Sequence, residues 1–252
     1  KSFKIKELEE FMNVNQIVRI IPTLKINNRR LNELFYIQTL GMKPLLEESA
    51  FLSLGDQSGI EKLVLEESPS MRSRKVEGIK KLARLIVKVA NPSEVEALLA
   101  RMEKLPQLYK GNKGYAFEIL SPEGDLVLIH AEDDIKDLRK FDETVTFPKD
   151  EKLQYLTAFD ISAEINLPAE TTSLLEKEEI ETSITFKQAQ GSDLLVENNV
   201  TWDLSMLKFQ VNELELASLR QRFETAGYFI PKSEKFFLTK DANNIELWFE
   251  EV

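Results

Sequence analysis

The sequence predicts an α+β protein of two tandem halves, each assembled from βαβββ modules with mixed, curved sheets. Three observations predict it. Period-two strand patterns alternate with single short helices in a recurring order. A hairpin pattern returns at an offset of about 119 residues. The length, 252 residues, is ample for two domains of ordinary size.

From Ile17 to Ile26, Val18, Ile20, Leu24 and Ile26 share one parity and Arg19, Thr23 and Lys25 the other, as in a strand with one covered face. Asn27 and Asn28 can cap a helix in which Leu31, Leu34, Phe35 and Gln38 recur at helical spacing, until Leu40-Gly41 closes it. Short strands follow near Lys43 to Leu46, Phe51 to Leu54 and Lys62 to Glu66, separated by Gly55 and Gly59. A Ser-, Pro- and Arg-rich loop, Ser68 to Lys75, leads into a second module. There Leu85, Val87 and Val89 alternate with Arg84, Ile86 and Lys88, and Asn91-Pro92-Ser93-Glu94 starts a helix running to Met102. Gly114 to Leu120 and Asp125 to His130 form a hairpin across Ser121-Pro122-Glu123-Gly124.

The polar stretch Glu132 to Lys152 reads as a linker carrying a short helix, and a new sheet is expected to start at Phe159, where Phe159, Ile161, Ala163, Ile165 and Leu167 oppose Asp160, Ser162, Glu164 and Asn166. The segments beginning at Phe117 and Phe236 superpose turn on turn, and Arg84 to Met102 match Leu204 to Phe223, so duplication is the economical explanation. The expected organisation is an N-terminal extension (1–16), a first domain (17–131), a linker (132–152) and a related second domain (153–252).

Composition excludes several functions. A net charge of -10 disfavours binding to nucleic acid, whose phosphates it repels at long range. Two local basic groups, Arg72, Arg74 and Lys75, and Lys80, Lys81 and Arg84, read as solvated loop and strand edge. The absence of cysteine removes disulfides, thiolate catalysis and iron-sulfur clusters. No apolar run approaches the roughly 20 residues that span a bilayer, so no membrane partner is expected. Lys1 to Gln16 lack the apolar core of a signal peptide, which points to the cytoplasm.

Ile20-Ile-Pro-Thr-Leu-Lys-Ile, the helix ending Leu34-Phe35-Tyr36, then Leu40-Gly41-Met42, and Ser121-Pro122-Glu123-Gly124-Asp125, in this order, resemble the glyoxalase-like superfamily. That superfamily, also called vicinal oxygen chelate or glyoxalase/bleomycin-resistance-like, covers roughly Ile17 to Ala131. More closely, the whole chain is similar to the CppA family, two-domain streptococcal proteins labelled as a proteinase degrading complement component three. That label implies complement component three as a partner, and a cell-surface or extracellular place.

The superfamily's metalloenzymes hold a cation on a concave sheet face with His, Gln or Glu. Mapped here, those positions fall on Ile21, Arg84 and Leu128 around one cup, and none of the three side chains can ligate a metal. No metal and no cofactor are expected. His130, the single histidine, shares parity with Leu128, so it is expected on the same face as Arg84 and Thr23. The functional reading makes Thr23, Arg84 and His130 a ligand pocket with Arg84 as anion anchor and His130 as proton donor. The plainer reading is a strand-end histidine. Asp160, Ser162, Glu164, Asp203 and Glu246 could gather around a divalent ion, or line a solvated sheet.

No catalytic set can be assigned. Neither HExxH nor GxSxG occurs, and Gly55-Asp56-Gln57-Ser58-Gly59 has the wrong spacing for a nucleophile elbow. The expected function is a metal-free binding or interaction protein for a small molecule, peptide or host protein. The alternative, carried by the resemblance alone, is the proteinase, which would need a serine to meet His130 or a lysine in space.

Overall fold

The computed structural model describes residues 15–148, 152–175 and 183–252, so most of the expected N-terminal extension and the end of the expected linker lie outside the described residues. Within them, strand β1 (Ile17–Ile26) is followed by helix α1 (Arg29–Glu33), which continues as a π-helical turn over Leu34–Thr39, and by β2 (Lys43–Glu48), β3 (Phe51–Gly55) and β4 (Glu61–Glu67). Asn28 caps α1 by accepting from the Leu31 amide. The turn stops at Gly41, whose φ of 70° suits glycine and whose amide donates to the Ile37 carbonyl at 3.1 Å.

The second module repeats the order with β5 (Leu82–Val89), α2 (Pro92–Leu99), β6 (Gln107–Lys110), β7 (Tyr115–Leu120) and β8 (Leu126–His130). Pro92 opens α2, where its missing amide hydrogen costs nothing, and Asn91 caps it. In this part of the chain two strands escaped the sequence reading. These are β6, whose four residues are too few to show a period, and β9 (Arg139–Phe141), which lies inside the polar stretch read as linker. That stretch also holds a 3₁₀ turn, Ile135–Asp137.

Beyond it come β10 (Phe159–Pro168) and β11 (Ile184–Ala189), then β12 (Leu204–Val211), α3 (Leu216–Arg222), β13 (Tyr228–Phe229), β14 (Phe236–Lys240) and β15 (Glu246–Glu251). The duplicated hairpins are β7–β8 and β14–β15, both antiparallel. β10 does not begin a new sheet. It pairs antiparallel with β5, with Asp160 opposite Lys88, Ser162 opposite Ile86 and Glu164 opposite Arg84.

Two sheets result, in the orders β13-β14-β15-β12-β1-β4-β3-β2 and β11-β10-β5-β8-β7-β6-β9. Each sheet joins strands from both halves of the chain: β1 meets β12 in the eight-stranded sheet, and β5 meets β10 in the seven-stranded one. The first and last modules therefore share a sheet, and the second is extended by β10 and β11.

One continuous core lies between the sheets and their helices. It includes Leu24 and Leu65, Leu85 and Val87, Ile161 and Ile165, and Phe209 and Phe249, together with Tyr36, Leu98 and Leu219 from the helices. The opposite face of the seven-stranded sheet carries Arg84, Ile86 and Lys88 from β5 and Leu128 and His130 from β8. A small separate cluster of Ile86, Ala116 and Leu128 is covered there by Tyr109, Ile135 and Leu138. Alternation at period two sorts these residues to that face.

Candidate functional site: a cleft beside an ion-paired cup

Residues of both sheets line a cleft of about 800 Å³, within the size range of small-molecule sites. Val18, Arg19 and Ile20 at the start of β1 and Lys62 of β4 stand on one side. Ile86, Lys88, His130, Asp160, Ser162 and Glu164 of the seven-stranded sheet, with Asp133 to Ile135, form the other. Val18 departs from the expected parity because the β1–β12 register shifts between Ile17 and Arg19, and its side chain is exposed. Lys62 reaches across to Asp160 at 3.0 Å and so ties the two sheets at the mouth.

His130 sits directly opposite Lys88 in the β5–β8 ladder and is buried. Its Nδ1 has no hydrogen-bond partner. Burial, then the charges of Lys88 and Arg84, push the imidazole pKa down to about 4, against a smaller upward pull from the Glu132 backbone. The ring is therefore neutral near pH 7. It can offer one N–H and one lone pair.

Arg84 lies on the same face and is locked in place. Its Nη1 donates to Glu118 Oε1 at 2.9 Å and its Nη2 to Glu164 Oε1 at 2.6 Å. The second oxygen of each carboxylate is also used: Tyr109 Oη donates to Glu118 Oε2 at 2.6 Å, and Lys187 Nζ to Glu164 Oε2 at 2.5 Å. Burial alone would lower the guanidinium pKa, but the bonds from Glu118 and Glu164 outweigh it and hold it above its ordinary value. Burial likewise opposes ionisation of Glu164, and Lys187 and Arg84 overcome it and hold that carboxyl low. The Glu118 bond, then burial, push the Tyr109 hydroxyl up to about 12, so it stays a donor. Nη1 and Nη2 are thus committed to protein carboxylates, while the buried Nε has no partner.

Thr23, grouped with these residues in the sequence reading, is in the other sheet, buried on β1 opposite Met206 and Val64. The acidic residues of the second half are likewise not brought together. Asp160, Ser162 and Glu164 line the cleft from β10, and Glu246 is in β15 of the eight-stranded sheet. Asp203 is buried just before β12, accepting from the amides of Lys81, Leu82 and Leu204. Among the described residues, no group of three or more His, Asp or Glu side chains is placed to hold a metal.

Within the basic groups, Arg74, Lys80, Lys81 and Arg84 have internal partners. Arg74 forms a two-pronged pair with Asp193, both bonds at 2.7 Å, and Lys80 Nζ meets Asp125 at 2.6 Å. Lys81 is buried and donates to the Val196 carbonyl. Asp56 and Ser58, in the loop between Gly55 and Gly59, bond to each other, and Asp56 also accepts from the Phe159 amide at 3.1 Å. That loop is a brace for β10.

Family models for the CppA N-terminal domain and the CppA C-terminal domain match residues 19–141 and 156–249. The CppA protein from Streptococcus pneumoniae is 68% identical, with 95% of this chain and 100% of that chain covered and a TM-score of 0.90. The chain belongs to the CppA family. A proposed dioxygenase from Bacillus subtilis superposes with a TM-score of 0.59 at 14% identity, over 95% of this chain and 86% of that one. Glyoxalase I from Zea mays does so with a TM-score of 0.53 at 8% identity, over 92% of each chain. These two likenesses establish a shared glyoxalase-like fold. A search of curated proteins found no match.

A chelated metal, as the fold implies, does not fit the positions the sequence mapping assigned. Ile21 is in the eight-stranded sheet opposite Lys208, so it does not share a cup with Arg84 and Leu128. In the seven-stranded sheet, Leu128 belongs to the apolar cluster and a guanidinium stands between the two nearby carboxylates. Sequence reasoning missed Glu118, Tyr109 and Lys187. Parity with Leu128 across the β7–β8 hairpin could have found Glu118, whereas Tyr109 and Lys187 are legible only once β6 and β11 are placed.

Proposed function

We propose that the chain is a binding or interaction protein whose ligand site is the cleft beside His130, and that it performs none of the metal-dependent chemistry of the glyoxalase-like enzymes. The observation that carries this reading is the pairing of an open cleft with a closed cup. The cleft presents a neutral histidine with an unpartnered buried nitrogen among Ile20, Ile86, Ile135 and Ile161. A buried polar atom without a partner costs about 1–3 kcal/mol, which a ligand group that bonds it would recover. Around those isoleucines the lining is charged, with Arg19, Lys62, Lys88, Asp133, Asp160 and Glu164, so the cleft suits a small polar molecule or short peptide that carries charge of its own.

The proteinase reading finds little support in the same residues. Ser162 is on β10 and His130 on β8, with β5 between them. Two strand spacings amount to about 10 Å, far beyond the hydrogen bond that a base needs to activate a nucleophile.

Ser162→Trp tests the binding reading because it fills the cleft from β10 without removing any member of the Arg84 cluster. Short-chain carboxylates and di- and tripeptides are screened by thermal shift against both proteins. The expected result is a set of compounds that raise the midpoint of the wild type and lose the effect in the variant. A screen in which no compound separates the two proteins would sink the proposal.

A further inference from the structure

We infer that Arg84 is a tethered cation filling the centre of the seven-stranded sheet's cup, and that the carboxylates it holds would take a divalent metal ion in its absence. The inference is independent of the cleft reading.

The geometry is that of a cation with its donors. Glu164 approaches the guanidinium at 2.6 Å from β10, the neighbour of β5, and Glu118 at 2.9 Å from β7, reaching across β8. Their remaining oxygens are closed off by Tyr109 and Lys187, so the cluster balances two negative charges with two positive ones. Both carboxylates are largely buried, at 14% and 10% side-chain exposure. Without the guanidinium, two carboxylates would face each other with only the more exposed Lys187, at 55%, as a counterion.

Two carboxylates and a phenol are hard oxygen donors of the kind that manganese, magnesium and calcium prefer. A guanidinium supplies the same compensating charge through a covalent tether, so it does not dissociate. It has no vacant coordination position, so it cannot activate a water or polarise a carbonyl as a metal does. Arg84 thus preserves the electrostatics of a chelated centre while removing its chemistry.

The test is rescue by manganese. Arg84→Ala should lower the thermal midpoint by roughly 10 °C, the loss expected from leaving buried charges unpaired. Millimolar Mn²⁺ should restore most of that loss and bind at one equivalent by calorimetry. It should leave the wild type and the triple variant R84A/E118Q/E164Q unmoved. If Arg84→Ala does not fold alone, refolding with and without Mn²⁺ gives the same readout, and Arg84→Gln, which fills more of the vacated volume, repeats it. Absence of a Mn²⁺ response in both single variants would overturn the inference. So would a wild-type protein whose Mn²⁺ binding disappears in E118Q/E164Q.

Discussion

His130 is the single histidine of the chain, so its ring protons report one environment without overlap. The folded ring is harder to protonate than a free imidazole, since its pKa falls from 6.5 to about 4. A depressed base contributes stability that is complete above pH 6.5 and lost as pH falls towards 4, up to ~3 kcal/mol. A proton NMR titration should therefore place its midpoint near 4, and a midpoint at or above 6.5 would contradict its burial beside Lys88 and Arg84. Parity along β5 and β8 was enough to put His130, Lys88 and Arg84 on one face. The neutral state of the ring was not legible, because it depends first on burial, and then on how near strand pairing brings Lys88 and Arg84.

At the scale of elements, the motifs that carry the superfamily resemblance prove to be joints. Tyr36 is fully buried near Asp125, Ser121 and Glu123, and burial, then the Asp125 charge, push its hydroxyl pKa well up. Glu123 accepts from the Asn27 amide and the Asn32 side chain, fastening α1 to the β7–β8 turn. Gly124, at φ 82°, lets that turn close, with its amide donating to the Ser121 carbonyl. The β3–β4 loop plays a similar part for β10. Asp56→Ala should cost ~1–3 kcal/mol in urea unfolding, because it strands the buried Phe159 amide as well as the loop's own bonds. Ser58→Ala removes one hydroxyl and should cost less. Equal losses would show that the Phe159 bond carries no weight.

For the whole molecule, the decisive feature is that each sheet is shared between the halves. β1–β12 and β5–β10 are long antiparallel ladders joining the chain segments before and after residue 150. Split at that point, each segment would expose the long edge of β1 and β5, or of β12 and β10. Co-expressed fragments 1–150 and 151–252 should therefore copurify at equal stoichiometry, as read by size-exclusion chromatography with light scattering. A monomeric, folded 1–150 fragment with the spectroscopic signature of native sheet would show that the first half is self-sufficient. Among the described residues, no helix is long and apolar enough to cross a membrane.

The sequence by itself determined most of the local order of strands and helices, the recurring hairpin and, Val18 apart, the faces of the strands it marked. Those properties follow from side-chain periodicity and turn chemistry, which act over a few residues. It also determined that Ile21, Arg84 and Leu128 are poor metal ligands, since that is a matter of functional groups alone. Only the tertiary structure decided which strands are neighbours, and with that the separation of Thr23 from His130 and the meeting of Arg84 with Glu118 and Glu164. Strand pairing uses backbone hydrogen bonds that are the same for every residue, so two similar modules can join in more than one order. The burial of side chains from both halves in one core selects among them.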